Sequence, residues 1–173
     1  MRLDLSSTNR GQVDFKQGDF YGAKFSRSNL ADVNLENTNL EGADFYCANF
    51  WGNKTMRRER LARANLVNAN LTGVDLSDAD LSQAVARDAE FKEATLEGTY
   101  LYSTVLTHTN WYRAKLGNIK VNTETDVNEA CFVQTKGNKF EAAQNFDNVS
   151  ENTQEGVELS KNSPCRRWRR GDH

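Results

Sequence analysis

The sequence is poor in most of the things that signal chemistry. Its 173 residues hold one Pro, two His and three Cys. His108 is the only His away from terminal His173, so a Ser/His/Asp or Cys/His assembly lacks its parts. Neither a G-x-x-x-x-G-K-S/T phosphate loop nor a G-x-S-x-G nucleophile turn occurs. Asp78-Ala79-Asp80-Leu81-Ser82 begins like a calcium loop, but Gln83 stands where Gly is required and Ala89 where the bidentate Glu belongs. The reading is of a protein that is not an enzyme and has no cofactor or metal. Cys47, Cys131 and Cys165 are far apart and form no C-x-x-C pair, so three reduced thiols are expected. No apolar run approaches membrane-spanning length, and Met1-Arg2-Leu3-Asp4-Leu5 lacks the apolar stretch of a signal peptide. A cytoplasmic protein without a membrane partner is the expectation. Hydrophobic residues make up 38% and mean hydropathy is −0.76, lean for a core unless each small unit buries only one or two side chains. A net charge of −2 points to neither a nucleic-acid binder nor a strongly acidic decoy.

What the sequence does have is a period of five. A large apolar residue recurs at Phe15, Phe20, Phe25, Leu30, Leu35, Leu40, Phe45 and Phe50. It resumes at Leu61 and runs through Leu66, Leu71, Leu76, Leu81, Ala86, Phe91, Leu96, Leu101, Leu106, Trp111 and Leu116. Two positions before each except Leu61, where Glu59 stands, is a small residue, with Asn or Asp commonly between, as in Ala43-Asp44-Phe45 and Ala69-Asn70-Leu71. On an α-helix five residues advance roughly 500°, so these side chains would wind around the axis. On a straight strand an odd spacing alternates faces. A chain that turns a corner in every repeat can point all of them inward. The small residue then shares the inward face, and the Asn or Asp faces water.

This motif resembles that of the pentapeptide-repeat family: small residue, Asn or Asp, Leu or Phe, then two variable residues. The match runs from about Val13 to Leu116. The resemblance implies an all-β solenoid, a right-handed quadrilateral β-helix with four repeats per coil. About twenty repeats make about five coils, a rod roughly 25 Å long at the usual strand spacing. Open solenoid ends need caps. Residues 1–12 read as a lead-in, 13–121 as the β-helix, 122–146 as a helical cap and 147–173 as a flexible polar tail. In the cap, Asp126–Lys136 is expected as one short helix, and Asn138 with Glu141 as the capping box of a second through Phe146.

The ladder breaks between Phe50 and Leu61, eleven residues apart, one more than two repeats. The 51–63 interruption carries Lys54, Arg57, Arg58, Arg60 and Arg63 against Glu59 and reads as an ejected loop, a place where recognition tends to sit. Ala86 replaces Leu, and the rings of the neighbouring Leu71, Phe91, Trp111 column are expected to compensate. Tyr21, Tyr46, Trp51, Tyr100, Tyr102 and Tyr112 adjoin inward positions and should face outward, as interface anchors. The interaction residues expected are therefore Trp51, Arg57, Arg58, Arg60, Tyr46, Tyr100, Tyr102 and Tyr112.

The functional expectation is a non-enzymatic scaffold, monomer or weak dimer, presenting rigid β-faces to a protein partner. The resemblance implies a second reading, because some family members mimic duplex DNA and bind DNA gyrase, protecting it from inhibitors. Residues 1–121 carry fifteen basic and fifteen acidic residues, and seven acids between Asp75 and Glu97 make only a local band. A third reading is weak nucleic-acid binding through 54–63 and the basic 166–170 tail.

Overall fold

The computed structural model describes residues 3–50, 61–136 and, as backbone, 150–152. Each repeat bends at a corner and meets the repeat one coil away by a parallel bridge. Partners lie twenty residues apart, as in Asn9 with Asn29, Asn29 with Asn49 and Asp80 with Tyr100. Four five-residue repeats therefore complete one coil. Four interior columns follow, here named by face. Face A holds Leu5, Phe25, Phe45, Leu71, Phe91, Trp111 and Phe132; face B holds Arg10, Leu30, Phe50, Leu76, Leu96 and Leu116. Face C holds Phe15, Leu35, Leu61, Leu81, Leu101 and Val121; face D holds Phe20, Leu40, Leu66, Ala86, Leu106 and Val127.

The repeat 38–42 shows why the motif has its form. Thr38 N–H closes the preceding corner on Leu35 C=O at 3.3 Å. Asn39 N–H reaches Gly18 C=O in the coil before at 3.0 Å. Leu40 and Gly42 donate to Asn65 and Val67 carbonyls in the coil after, both at 2.8 Å. One donor remains, the N–H of Glu41, and Asn39 Oδ1 accepts it at 3.3 Å. The middle residue is Asn or Asp because it must return an oxygen to the N–H two positions on, an Asx turn. The same bond forms at Asp14, Asp44, Asn65, Asn70, Asp75 and Asp80. Asn side chains also link coils, Asn39 Nδ2 donating to Asp19 Oδ1 at 2.8 Å and Asn70 Nδ2 to Asp44 Oδ1 at 3.0 Å.

Small and large inward residues together fill the interior. Ala23, Val33, Ala43, Leu35, Leu66, Phe91 and Trp111 are all wholly buried. Face A carries a column of rings: Phe25 stacks on Phe45 at 4.9 Å and Phe91 on Trp111 at 4.2 Å. Where Thr takes the small position its hydroxyl is satisfied internally, as Thr99 on Leu76 C=O at 2.8 Å and Thr104 on Leu81 C=O at 2.9 Å. Ala86 is wholly buried as expected.

The solenoid is longer than the ladder suggests. Residues 3–12, expected as a lead-in, already form the first two repeats of its first coil, with Asp4 bridged to Lys24 and Asn9 to Asn29. Arg10 hides this in the sequence by placing a charged residue in an interior column; its buried Nε has no hydrogen-bond partner among the described residues. Residues 126–136 are not the expected helix. Asp126 bridges to Val105, Cys131 to Asn110 and Lys136 to Lys115, so the spacing is twenty-one and one extra residue has entered the corner after Val121. Thr125-Asp126-Val127 and Ala130-Cys131-Phe132 are further repeats, and the count rises from five coils to more than six. Strand β1 (Cys131–Val133) pairs in parallel with β2 (Ser150–Asn152), inside the segment expected as a tail. The second expected helix lies outside the described residues. Cys131 is disulfide-bonded, which corrects the expectation of three reduced thiols, while Cys47 is free and exposed.

Corners are built on left-handed residues. Apart from the lengthened corner after Val121, each described corner places its second turn residue at positive φ. Gly takes this position four times and other residues nineteen times, from Ser7 at 56° to Gln134 at 57°. Two glycines separate the contributions to this. A Cβ on Gly42 (φ 64°) meets nothing within 4 Å, whereas one on Gly98 (φ 70°) falls 2.5 Å from Asp78 Oδ1. Gly42→Ala should lose about 1 kcal/mol, the backbone term alone. Gly98→Ala should lose more, roughly 2 kcal/mol, because the Asp78 carboxylate must also move. Urea denaturation of both variants checks the order; equal losses would contradict it.

Candidate interaction surface

The Asx rule makes departures from it easy to locate. From Val85 to Val105 a full coil and one further repeat place Val85, Glu90, Thr95, Tyr100 and Val105 where Asn or Asp would stand. The N–H groups two positions after a departure lose their side-chain acceptor. Among the described residues the amides of Arg87, Lys92, Glu97, Tyr102 and Thr107 find no other. Val85 is 37% exposed. This coil is the signal that reading the inward ladder alone passes over.

The outward tyrosines fall on opposite faces. Tyr100 stands on face C and Tyr102 at its corner, their rings edge-to-face at 6.0 Å. Tyr102 is 40% exposed. Tyr46 and Tyr112 occupy the corner that ends face A, three coils apart in the same row. Tyr46 is 40% exposed with the Arg27 guanidinium 5.9 Å from its ring centre. Tyr112 is half-buried beside Cys131 and Val133, with Arg113 4.9 Å over its ring. Four of the eight expected interaction residues are thus placed at the surface, in two groups. Trp51, Arg57, Arg58 and Arg60 lie outside the described residues.

What is fixed at the interruption is its register. Asn39 pairs with Asn65, Asp44 with Asn70 and Asn49 with Asp75, each twenty-six residues on. Phe50 and Leu61 are therefore consecutive interior residues of faces B and C. The eleven-residue interval is one repeat with six extra residues, not two repeats and one. Arg63, at the returning corner, donates through Nε to Gln83 Oε1 at 2.9 Å and lies 3.5 Å from Glu36.

Electrostatics are local. The acids of 75–97 wrap around the rod: Asp75 on face B with Asp78 and Glu97 at its corner, Asp80 on face C, Asp88 at the D corner, Glu90 and Glu93 on the A side. No single face is acidic. His108 sits at the D corner between Asp88, 3.6 Å from Nδ1, and Glu129, 3.3 Å from Nε2. Among the described residues no group of three His, Cys, Asp or Glu could hold a metal ion.

The pattern of "Pentapeptide repeats" matches this sequence in eight copies, over residues 23–52 and 64–101. A solved pentapeptide-repeat protein of Nostoc PCC 7120, alr5209, is 32% identical over 70% of this chain and 83% of its own, with a TM-score of 0.21. The chain belongs to the pentapeptide-repeat family. Rfr23, a pentapeptide-repeat protein of the cyanobacterium Cyanothece 51142, is 19% identical over 72% of this chain and 91% of its own, with a TM-score of 0.40. QnrB1, a plasmid-mediated fluoroquinolone resistance protein, is 18% identical over 91% and 87%, with a TM-score of 0.44. No curated protein matches. The family's repeat is the unit whose five N–H groups all find acceptors at residues 38–42.

One buried carboxylate gives the surface a pH signature. Glu36 lies 2.5 Å from Lys16 Nζ and is nearly buried. The hydrogen bond from Lys16 leads the causes that hold its carboxyl below the ordinary glutamate value, opposed by burial and aided by Arg63. A lowered acid contributes stability that is present above its unfolded-state pKa and lost as pH falls through the folded one. Glu36→Gln should melt lower at neutral pH, and the gap should close as pH falls below the glutamate range. A gap of constant size from neutral to acid pH would contradict the assignment.

Proposed function

We propose that this chain is a non-enzymatic scaffold that presents rigid β-faces to a protein partner. The observation that carries the proposal is the outward placement of Tyr100 on face C and of Tyr46, Tyr102 and Tyr112 at corners, on backbone tied to the neighbouring coils. A ring held on such a corner loses little freedom on binding, and Tyr is among the residues that dominate interface energetics. The interruption adds a second recognition element between faces B and C, rooted on consecutive interior residues.

The gyrase reading asks for acidic faces that imitate DNA. The acids of 75–97 are instead distributed over all four sides. Absence of both inhibition and protection in a supercoiling assay at micromolar protein would remove that reading. Nucleic-acid binding through the basic segments requires steeply salt-dependent retention on DNA.

The scaffold reading is tested by affinity capture from the source lysate. The intact chain is compared with one lacking residues 54–59, a deletion of six that restores the twenty-residue spacing. Tyr46→Ala and Trp51→Ala accompany it, each expected to weaken a captured partner by about 2 kcal/mol. If all three variants retain the partner at unchanged affinity, neither the interruption nor the face A corner is the recognition site.

A further inference from the structure

We infer that face C is a self-association surface, on which a second copy of this chain packs face to face with its rod antiparallel. The inference goes beyond the scaffold reading by naming an occupant for one face; it shares Tyr100 and Tyr102 with that reading and adds the order of charges along face C.

Three outward residues lie in register on face C. Asp80 bridges to Tyr100, and Tyr100 to Lys120, so Tyr100 has an acid one coil below and a base one coil above. Successive coils are about 4.8 Å apart. Tyr102 continues the aromatic centre at the corner, its ring against Tyr100. Lys120 is exposed, and among the described residues neither it nor Asp80 forms an ion pair. Asp80 Oδ1 accepts the Ser82 N–H at 2.8 Å.

Consider a two-fold axis between two such faces, crossing the rods at the level of Tyr100. It exchanges the coil above with the coil below and leaves position across the face unchanged. Asp80 of each copy then faces Lys120 of the other, twice, with the tyrosines meeting at the centre. An axis parallel to the rods would instead set Asp80 against Asp80 and Lys120 against Lys120. Charge therefore selects the antiparallel arrangement. The surface is complementary to itself, the requirement of an isologous interface. On the corner that ends face C, Ser82 exchanges with Asn122, both neutral, while the nearby acid Glu124 accepts the Ser103 hydroxyl at 2.6 Å. Glu97, on the corner shared with face B, is engaged by Asn118 Nδ2 at 2.8 Å. The rings supply the burial, while the peripheral ion pairs fix register and orientation. A square face a few coils long lies at the small end of specific interfaces, so the dimer should be concentration-dependent.

Sedimentation equilibrium on the full chain, from low micromolar into the millimolar range, tests this. The wild-type chain should dimerise within that range. Tyr102→Ala should raise the dimer dissociation constant about thirtyfold. Lys120→Asp should prevent dimerisation by setting two acids together, and adding Asp80→Lys should restore it. Circular dichroism confirms that each variant keeps its β-solenoid. A wild-type chain that stays monomeric throughout, or a dimer indifferent to Tyr102→Ala and to the charge swap, overturns the inference. A monomeric variant that still captures another protein leaves the scaffold reading standing, so the two fail separately.

Discussion

In the repeats among the described residues, one backbone N–H in every five meets no backbone carbonyl. Four donors of a repeat close a corner or bond to the coils above and below. The fifth points along the corner, where only an oxygen from the residue two positions earlier can meet it. Asn and Asp have a side chain of the right length to supply it, as Asn39 does for Glu41 and Asp44 for Tyr46. An unmet donor carries a desolvation cost of about 1–3 kcal/mol if buried, and much less where water reaches it. The corner is therefore where the chain can choose between internal satisfaction and an accessible surface. The inward positions have no such freedom, because the rod is too narrow to hold more than one large and one small side chain per repeat.

That choice organises the surface. Through coils two to four the Asx bond is common and the faces are closed and polar. Between Val85 and Val105 it is given up at five successive repeats. In its place stand an exposed valine and Tyr100, packed against Tyr102, residues that do more for an interface than for a solvated corner. The Asp80, Tyr100, Lys120 column adds direction, since its charges are arranged to meet their own reverse. The two tyrosine groups, on opposite faces, give the rod separate surfaces without asking either to serve two partners.

Much of this is legible in the sequence. The five-residue ladder dictates corners, the corners dictate four columns, and Tyr100 and Tyr102 face outward because inward positions are fixed by phase. Phase is also why the two ends mislead. Arg10 breaks the apolar column, although Thr8-Asn9-Arg10 otherwise keeps the motif and bridges to the next coil. After Val121 one inserted residue shifts the phase, and Val127, Ala130, Cys131 and Val133 then mimic the spacing of a helix. The backbone resolves the ambiguity because Thr109 C=O and Leu106 N–H of the preceding coil wait for partners, and Cys131 and Asp126 supply them. The six extra residues after Phe50 likewise pass for two repeats and one, since eleven is close to ten. Only the pairing of Asn39 with Asn65 shows that a single repeat spans the interval. The coil at 85–105 is readable in principle: asking where Asn and Asp are missing finds it directly.

Amide hydrogen exchange, resolved by residue, tests the central claim most directly. The corner N–H groups of Tyr46, Val67, Thr72, Ser77 and Ser82 have Asx acceptors, while those of Arg87, Lys92, Glu97, Tyr102 and Thr107 do not. The first set should exchange markedly more slowly than the second, at similar protection of the intercoil amides around both. Equal rates in the two sets would show that the side-chain oxygen is not what completes the repeat, and would contradict the account.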